Sequence, residues 1–218
     1  MRFRRWYYDR FSSFYDAFIR LHSGDRGERM RSFLVKAARI EPGHTVVDLC
    51  TGTGSSALRM AREGGAFVVG VDFSPGMLRQ ARRKAAEAET AFPGPAPAWV
   101  EADVRALPLR SNCADRVTCT YAMYELPGPV RDKVLEESLR ILKPGGLFVM
   151  MEHLPPAKPF IKLLYLIRIH LVGTRGVRAF AGREELTLRR FFEKVGASTA
   201  EGGRTRAVFG YKPALEGG

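Results

Sequence analysis

The chain has 218 residues, 45% hydrophobic and 27% charged, a balance that fits one globular domain with a sizeable core and excludes a disordered or fibrous protein. No run of about 18 uncharged apolar residues occurs, which argues against a membrane-spanning helix, and the basic start Met1-Arg2-Phe3-Arg4-Arg5-Trp6 lacks the apolar stretch of a secretory signal. The net charge of +12 favours anionic partners such as phospholipid headgroups or an acidic substrate, although a solvated Arg-rich surface accounts for it equally well; without basic runs or a recognition motif, nucleic acid is disfavoured.

Residues 1–21 place Phe3, Tyr7, Phe11, Phe14 and Phe18 at helical spacing among Arg4, Arg5, Arg10 and Arg20. Such a face packs on the core, closes over a ligand as a lid, or lies in a membrane interface. A second helix is predicted from about 25 to 40, ending before Glu41-Pro42-Gly43. Strand 1 covers 45–50, and a helix runs on to about 63. Strand 2 covers 67–72. Ser74-Pro75 then supplies an N-cap and a first-turn proline for a helix reaching about 90. Strand 3 is expected near 98–101 and strand 4 near 115–121. A helix over 129–142 is stopped by Lys143-Pro144-Gly145-Gly146, and strand 5 follows at 147–151. The stretch 160–172 is almost continuously apolar but too short to cross a bilayer. A helix near 184–195 precedes two closing strands near 197–203 and 205–211, with a hairpin turn at Gly202-Gly203.

Strands alternating with helices predict an α/β fold: a Rossmann-like, doubly wound seven-stranded sheet, mostly parallel, with an antiparallel C-terminal hairpin strand and helices on both faces. It forms a single domain, 1–218, in which 1–40 is a helical lid or cap, 41–155 the cofactor-binding core, and 156–218 a substrate-side helix with closing strands.

The central stretch is Thr45-Val46-Val47-Asp48-Leu49-Cys50-Thr51-Gly52-Thr53-Gly54-Ser55-Ser56. Glycines between a strand and a helix let backbone approach a ligand and leave N–H groups aimed at it. Asp72 ends the next strand, 20 positions after Gly52, the spacing at which a doubly wound sheet offers a carboxylate to ribose. The run Gly52–Ala57 also fits the dinucleotide fingerprint, so a nicotinamide or flavin oxidoreductase is a rival. Asp48 opposes it, because a carboxylate there repels pyrophosphate. S-adenosylmethionine, with an ammonium, a sulfonium and no phosphate, fits that charge. Cys50, Cys113, Cys119 and the four histidines have no zinc spacing, so no metal is expected, and a reducing cytoplasm is the expected location, with a peripheral membrane association also open.

Four motifs now resemble the class I S-adenosylmethionine-dependent methyltransferases. Val46–Gly54 resembles motif I, Val69–Leu78 the acidic loop, Glu101–Leu109 the adenine loop, and Leu139–Gly146 the turn before strand 5. The resemblance implies that Gly52, Thr53 and Gly54 approach the methionine moiety, with Asp48 near its ammonium. It further implies that Asp72 takes the ribose hydroxyls, that Phe73 and Met77 pack against adenine, and that Asp103 and the Val104 N–H receive the adenine edge. Thr120 and Tyr121 would border the sulfonium. S-adenosylhomocysteine would be the product.

Within that class, Arg140–Glu152 is similar to the strand-5 signature of the ubiquinone/menaquinone biosynthesis C-methyltransferases, and Tyr15-Asp16 to their N-terminal pair. Leu154 stands where that family has serine, and its Asn, Ser and His pattern after the N-terminal pair is absent. The implied acceptor is small and lipophilic, resembling a quinone precursor. A phosphatidylethanolamine N-methyltransferase, another small-molecule N- or O-methyltransferase, and a non-catalytic membrane- or RNA-binding relative are the alternatives. A carbon or oxygen acceptor must lose a proton. Tyr121, Tyr124, Glu125, Glu152 and His153 lie at strand C-terminal ends, where such sites form. His153 is the first candidate because imidazole titrates near neutrality, and Tyr121 and Tyr124 are candidates for catalysis or for an aromatic wall.

Overall fold

β-Branched and apolar runs become strands because their side chains pack on both faces of a covered sheet. The computed structural model describes residues 9, 26–88, 92–153, 180, 182–203 and 205–214. The strands are β1 (Thr45–Leu49), β2 (Phe67–Asp72), β3 (Ala98–Glu101), β4 (Ala114–Thr120), β5 (Leu142–His153), β6 (Glu193–Thr199) and β7 (Thr205–Tyr211). The helices are α1 (Arg26–Ala37), α2 (Ser55–Gly64), α3 (Pro75–Glu87), α4 (Gly128–Ile141) and the short α5 (Glu184–Leu188).

The sheet order is β3-β2-β1-β4-β5-β7-β6. β1 through β5 pair in parallel, and β7 runs antiparallel to both β5 and β6. From β1 the chain moves outward to β2 and β3, then returns to lay β4 on the other flank of β1. That reversal opens a crevice at the C-terminal ends of β1 and β4, where open α/β sheets bind ligands.

Two apolar clusters sandwich the sheet. Leu34, Val35 and Ala38 after and within α1, with Ala57, Met60 and Ala61 of α2, cover Val46, Val68, Val149 and Met151. Val134, Leu135 and Ile141 of α4, with Phe180, Leu188 and Phe192, cover Val47, Val117, Phe148 and Met150 on the other face. Alternation along β5 thus sends odd and even residues to different clusters. Phe148, fully buried, stacks on Phe192 with centroids 5.2 Å apart.

The seven-stranded, mostly parallel architecture expected from the sequence is observed, and four boundaries move. α1 stops at Ala37, because Arg39 turns into the left-handed region at φ 48°. β5 begins at Leu142 rather than 147; Lys143–Gly146 form an irregularity within it, which brings the Lys143 Nζ 2.8 Å from Asp115. The helix expected over 184–195 ends at Leu188, and β6 starts at Glu193 rather than 197. Ladder pairing to β7 and the packing of Phe209 over Gly196 outweigh the helical propensity there. The aromatic N-terminal stretch, apart from Asp9, and the apolar 160–172 stretch lie outside the described residues.

Phe148→Ala should cost about 3–5 kcal/mol, the usual penalty for emptying a buried aromatic site. Denaturant titration should show it as a lowered midpoint with an unchanged slope.

Candidate active site

β1 ends in Asp48 and Leu49, after which the chain must turn sharply to enter α2. It does so through left-handed backbone at Cys50 (φ 53°), Gly52 (φ 56°) and Gly54 (φ 74°). Gly54 is also indispensable for space: a Cβ there would lie 2.5 Å from the Trp99 ring and 2.9 Å from Ala81. Gly52 is different. A Cβ at that position would meet nothing within 4 Å, so this face of the loop looks onto open space.

Asp48 is 1% exposed. Its Oδ2 accepts from Thr51 Oγ1 at 2.6 Å and its Oδ1 at 2.7 Å from Thr118 Oγ1, its partner on β4. Burial pushes its carboxyl up to about 6, against the two threonine hydrogen bonds, with the neighbouring Asp72 charge adding to the rise. Asp72, also buried, accepts from the Gly52 N–H at 2.8 Å and the Ser74 N–H at 2.9 Å. Its carboxyl is likewise raised, chiefly by burial. Two carboxylates therefore sit desolvated on either side of the glycine loop, and Asp72 fixes that loop through Gly52.

The loop has two further tethers. Lys84 of α3 donates to Thr53 Oγ1 at 2.9 Å and Ser55 Oγ at 2.8 Å. Ser74 caps α3 as expected, accepting from the Met77 N–H at 3.2 Å. Asp9 joins that cap: its Oδ1 accepts from Ser74 Oγ at 2.6 Å and the Gly76 N–H at 2.9 Å. An acidic side chain at a helix N-terminus is favoured by the exposed N–H groups, and here it places the Asp9 charge close enough to Asp72 to act on it.

The remaining residues singled out from sequence divide by position. Phe73 is half-buried beside Asp72, and Met77 is buried in the first turn of α3. Asp103 lies in the β3–β4 loop, next to Val104, and Arg105 engages its carboxylate through Nε at 3.0 Å and a second nitrogen at 2.6 Å. That pair holds the Asp103 carboxyl below its ordinary range, so an incoming amino group would have to share it. Thr120 ends β4 with its Oγ1 buried and without a partner among the described residues.

Tyr121 and Tyr124 do not make one wall. Tyr121, in left-handed backbone (φ 55°), packs on the α1–α2 side, its hydroxyl 3.3 Å from Thr205 Oγ1. Tyr124 packs on the α4 side, and its hydroxyl donates to Glu125 at 3.1 Å. His153 is the last residue of β5, paired with Thr205 of β7, and its side chain lies outside the described residues. Glu152, just before it, is 6% exposed. Sequence reasoning had no signal for Thr118, Lys84, Trp99 or Asp9, whose roles depend on neighbours 29 to 70 positions away. Among the described residues there is no cluster of potential metal ligands, and no helix long and apolar enough to cross a membrane.

With this geometry in view, comparison with known proteins is specific. A family model for a methyltransferase domain matches residues 46–146. The chain is 39% identical over 154 residues to the demethylmenaquinone methyltransferase of Thermus thermophilus, covering 70% of this chain and 67% of that protein. It is 37% identical over 134 residues to the 2-phytyl-1,4-naphtoquinone methyltransferase of Nostoc punctiforme, covering 61% of this chain but only 56% of the relative, little more than half its length. A solved S-adenosylmethionine-dependent methyltransferase of Aquifex aeolicus shares the fold, with a TM-score of 0.66 at 20% identity over 89% of this chain and 93% of that one. The chain belongs to the class I S-adenosylmethionine-dependent methyltransferases, in the group of the ubiquinone/menaquinone C-methyltransferases.

Because the folded-state carboxyl of Asp48 titrates near 6 rather than 3.8, the native state holds the extra proton between those values. Its contribution to stability therefore falls as pH rises through that window and is flat above it, a deficit on the order of 3 kcal/mol. Asp48→Asn should remove the decline, so that the variant gains on the wild type between pH 4 and pH 6 in urea titrations while losing affinity for S-adenosylhomocysteine.

Proposed function

We propose that this chain transfers a methyl group from S-adenosylmethionine to a small, lipophilic, quinone-like acceptor at the C-terminal edge of its sheet. One observation carries the reading: Asp48 and Asp72, both desolvated, flank a loop whose Gly52 faces open space. A pyrophosphate placed there would meet two carboxylates, whereas a cationic methionine moiety would be drawn to them and would offset part of their desolvation. When bound, S-adenosylmethionine supplies a methyl group on a positively charged sulfur.

The chain's own residues hold that cofactor in separate parts. Asp48 faces the ammonium, and Gly52, Thr53 and Gly54 let the backbone come close. Asp72 keeps lone pairs for ribose hydroxyls while it accepts from Gly52 and Ser74. Phe73 and Met77 border the adenine, Asp103 and Val104 meet its polar edge, and Thr120 and Tyr121 border the reacting end. Asp9, on the first turn of α3, closes the site from the N-terminal side.

The quinone acceptor is supported by what the named relatives methylate. Such molecules reside in membranes, and the net charge of +12 would hold the protein at an anionic surface without a spanning helix. The aromatic N-terminal stretch and the apolar 160–172 stretch are the candidate contacts with that surface.

Calorimetry should detect S-adenosylhomocysteine binding and no binding of nicotinamide or flavin dinucleotides; the reverse would overturn the reading. Asp72→Asn should weaken S-adenosylhomocysteine about 10–100-fold, the range for losing a charge-assisted hydrogen bond. Gly52→Ala should leave the fold in place, at about 1 kcal/mol for the left-handed backbone, yet sharply reduce cofactor affinity. Incubating the enzyme with labelled cofactor and separate pools of quinols, phosphatidylethanolamine and small amines should label the quinols. Sedimentation with anionic vesicles should be salt-sensitive.

A further inference from the structure

At the acceptor end of the sheet, polar groups are buried without enough partners. Four side-chain atoms have none among the described residues: Thr120 Oγ1, Arg131 Nε, Glu152 Oε2 and Glu184 Oε2. A buried polar atom left unpaired costs free energy, so a cluster of them marks a place where another molecule completes the hydrogen bonding. Glu152 stands apart within the group. It lies one residue beyond Met151, the partner of Thr120, and is therefore level with the chain leaving β4. Its Oε1 accepts from the Tyr124 N–H at 3.3 Å, and the Met123 N–H also acts on the carboxylate, which steadies the turn Met123–Glu125. Its Oε2 does nothing of the kind.

We propose, resting on the quinol-like acceptor argued above, that Glu152 is the base that takes the acceptor's ring-hydroxyl proton as the methyl group is transferred. Glu152 Oε2 receives the proton, and the released O–H electron pair enters the ring. A ring carbon forms the new bond to the methyl group while the carbon–sulfur bond breaks, leaving its electron pair on sulfur. The proton on the methylated carbon then moves to the ring oxygen, restoring the aromatic ring, and Glu152 gives its own proton to solvent. One proton leaves per methyl transferred, as loss of the sulfonium charge requires.

The surroundings favour this role over that of a fixed anion. Burial pushes the Glu152 carboxyl well up, with the Glu184 and Glu125 charges adding to the rise and the Tyr124 and Met123 N–H groups opposing it. A carboxylate that binds protons more tightly is a better match for a phenol. From α4, Arg131 supplies the countering positive charge; its guanidinium stacks 3.7 Å from the Phe180 ring centroid and donates to Leu126 O, leaving Nε uncommitted. Cys119 of β4 and Tyr121 also feel the Glu152 charge. Arg206, opposite Glu152 on β7, is committed instead to Glu185.

The test is Glu152→Gln, which keeps an oxygen for the two turn N–H groups and removes the basic site. Affinity for S-adenosylhomocysteine and the melting temperature should stay near wild type, while kcat on a hydroquinone falls about 10²–10⁴-fold with little change in KM. The wild-type rate should rise with pH through one ionisation that the variant lacks, and a hydroquinone made more acidic by halogens should recover part of the variant's rate. A readout without turnover is 2-naphthol bound in the presence of S-adenosylhomocysteine: the wild type should raise its phenolate absorbance and the variant should not. Equal hydroquinone rates and pH profiles for both proteins would reduce Glu152 to a brace for the turn and overturn the proposal while leaving the acceptor intact. A wild type that methylates amines or phospholipids but no hydroquinone would remove the acceptor reading and this proposal with it. If Glu152→Gln fails to fold, a wild-type profile with no rising limb, together with naphthol bound only in its neutral form, still overturns the proposal.

Discussion

A carboxylate kept away from water near the C-terminal end of the β1–β4 pair governs the rest of this site. Asp48 reaches across to the hydroxyl of Thr118, its partner on β4, and forward to Thr51 in the turn after β1, so both its oxygens are occupied by neutral donors. Hydroxyls can steady a buried charge but cannot cancel it, and the raised titration of Asp48 is the sign of that shortfall. A fold tolerates such a residue when function requires it. The left-handed turn through Cys50, Gly52 and Gly54 passes directly beside it, placing the Thr51 hydroxyl on the carboxylate before the chain enters α2.

The two ends of the site are built on different terms. On the cofactor side the glycine loop is tied from three directions: by Asp72 through Gly52, by Lys84 through Thr53 and Ser55, and by Trp99 through contact with Gly54. Such bracing holds groups in place before a ligand arrives, which limits the entropy lost on binding. On the side proposed for the acceptor, Thr120, Arg131, Glu152 and Glu184 retain unsatisfied atoms among the described residues. Among the described residues, the four buried side-chain atoms without a hydrogen-bond partner all fall in the second half and none in the first.

How much of this could be read from residues alone depended on how local the cause was. Strand and helix identities from Arg26 through Ile141 followed from apolar periodicity, the Ser74-Pro75 cap and the two glycines, all decided within a few neighbours. The misplaced boundaries near 188–197 had a distant cause: pairing of Glu193 with Tyr211 is invisible to a window that sees a helical pattern through Phe192. Motif spacing located Asp48 and Asp72, but not that Asp72 holds the Gly52 N–H or that Arg105 already occupies Asp103. Tyr121 and Tyr124 are only three positions apart, but the left-handed backbone at Tyr121 and the turn after it send them to opposite clusters.

Trp99 sits on β3, at the sheet's edge, yet its indole fills the room left by two glycines, Gly54 in the cofactor loop and Gly70 on β2, where a Cβ would come within 2.6 Å of the ring. The three positions behave as one volume divided among three side chains. A homologous chain that adds a methyl at 70 must surrender bulk at 99, and one that shrinks 99 leaves the glycine loop without its backstop. Drift at a solvent-facing rim is in this way coupled to the geometry of the catalytic crevice, and these sites should evolve in concert.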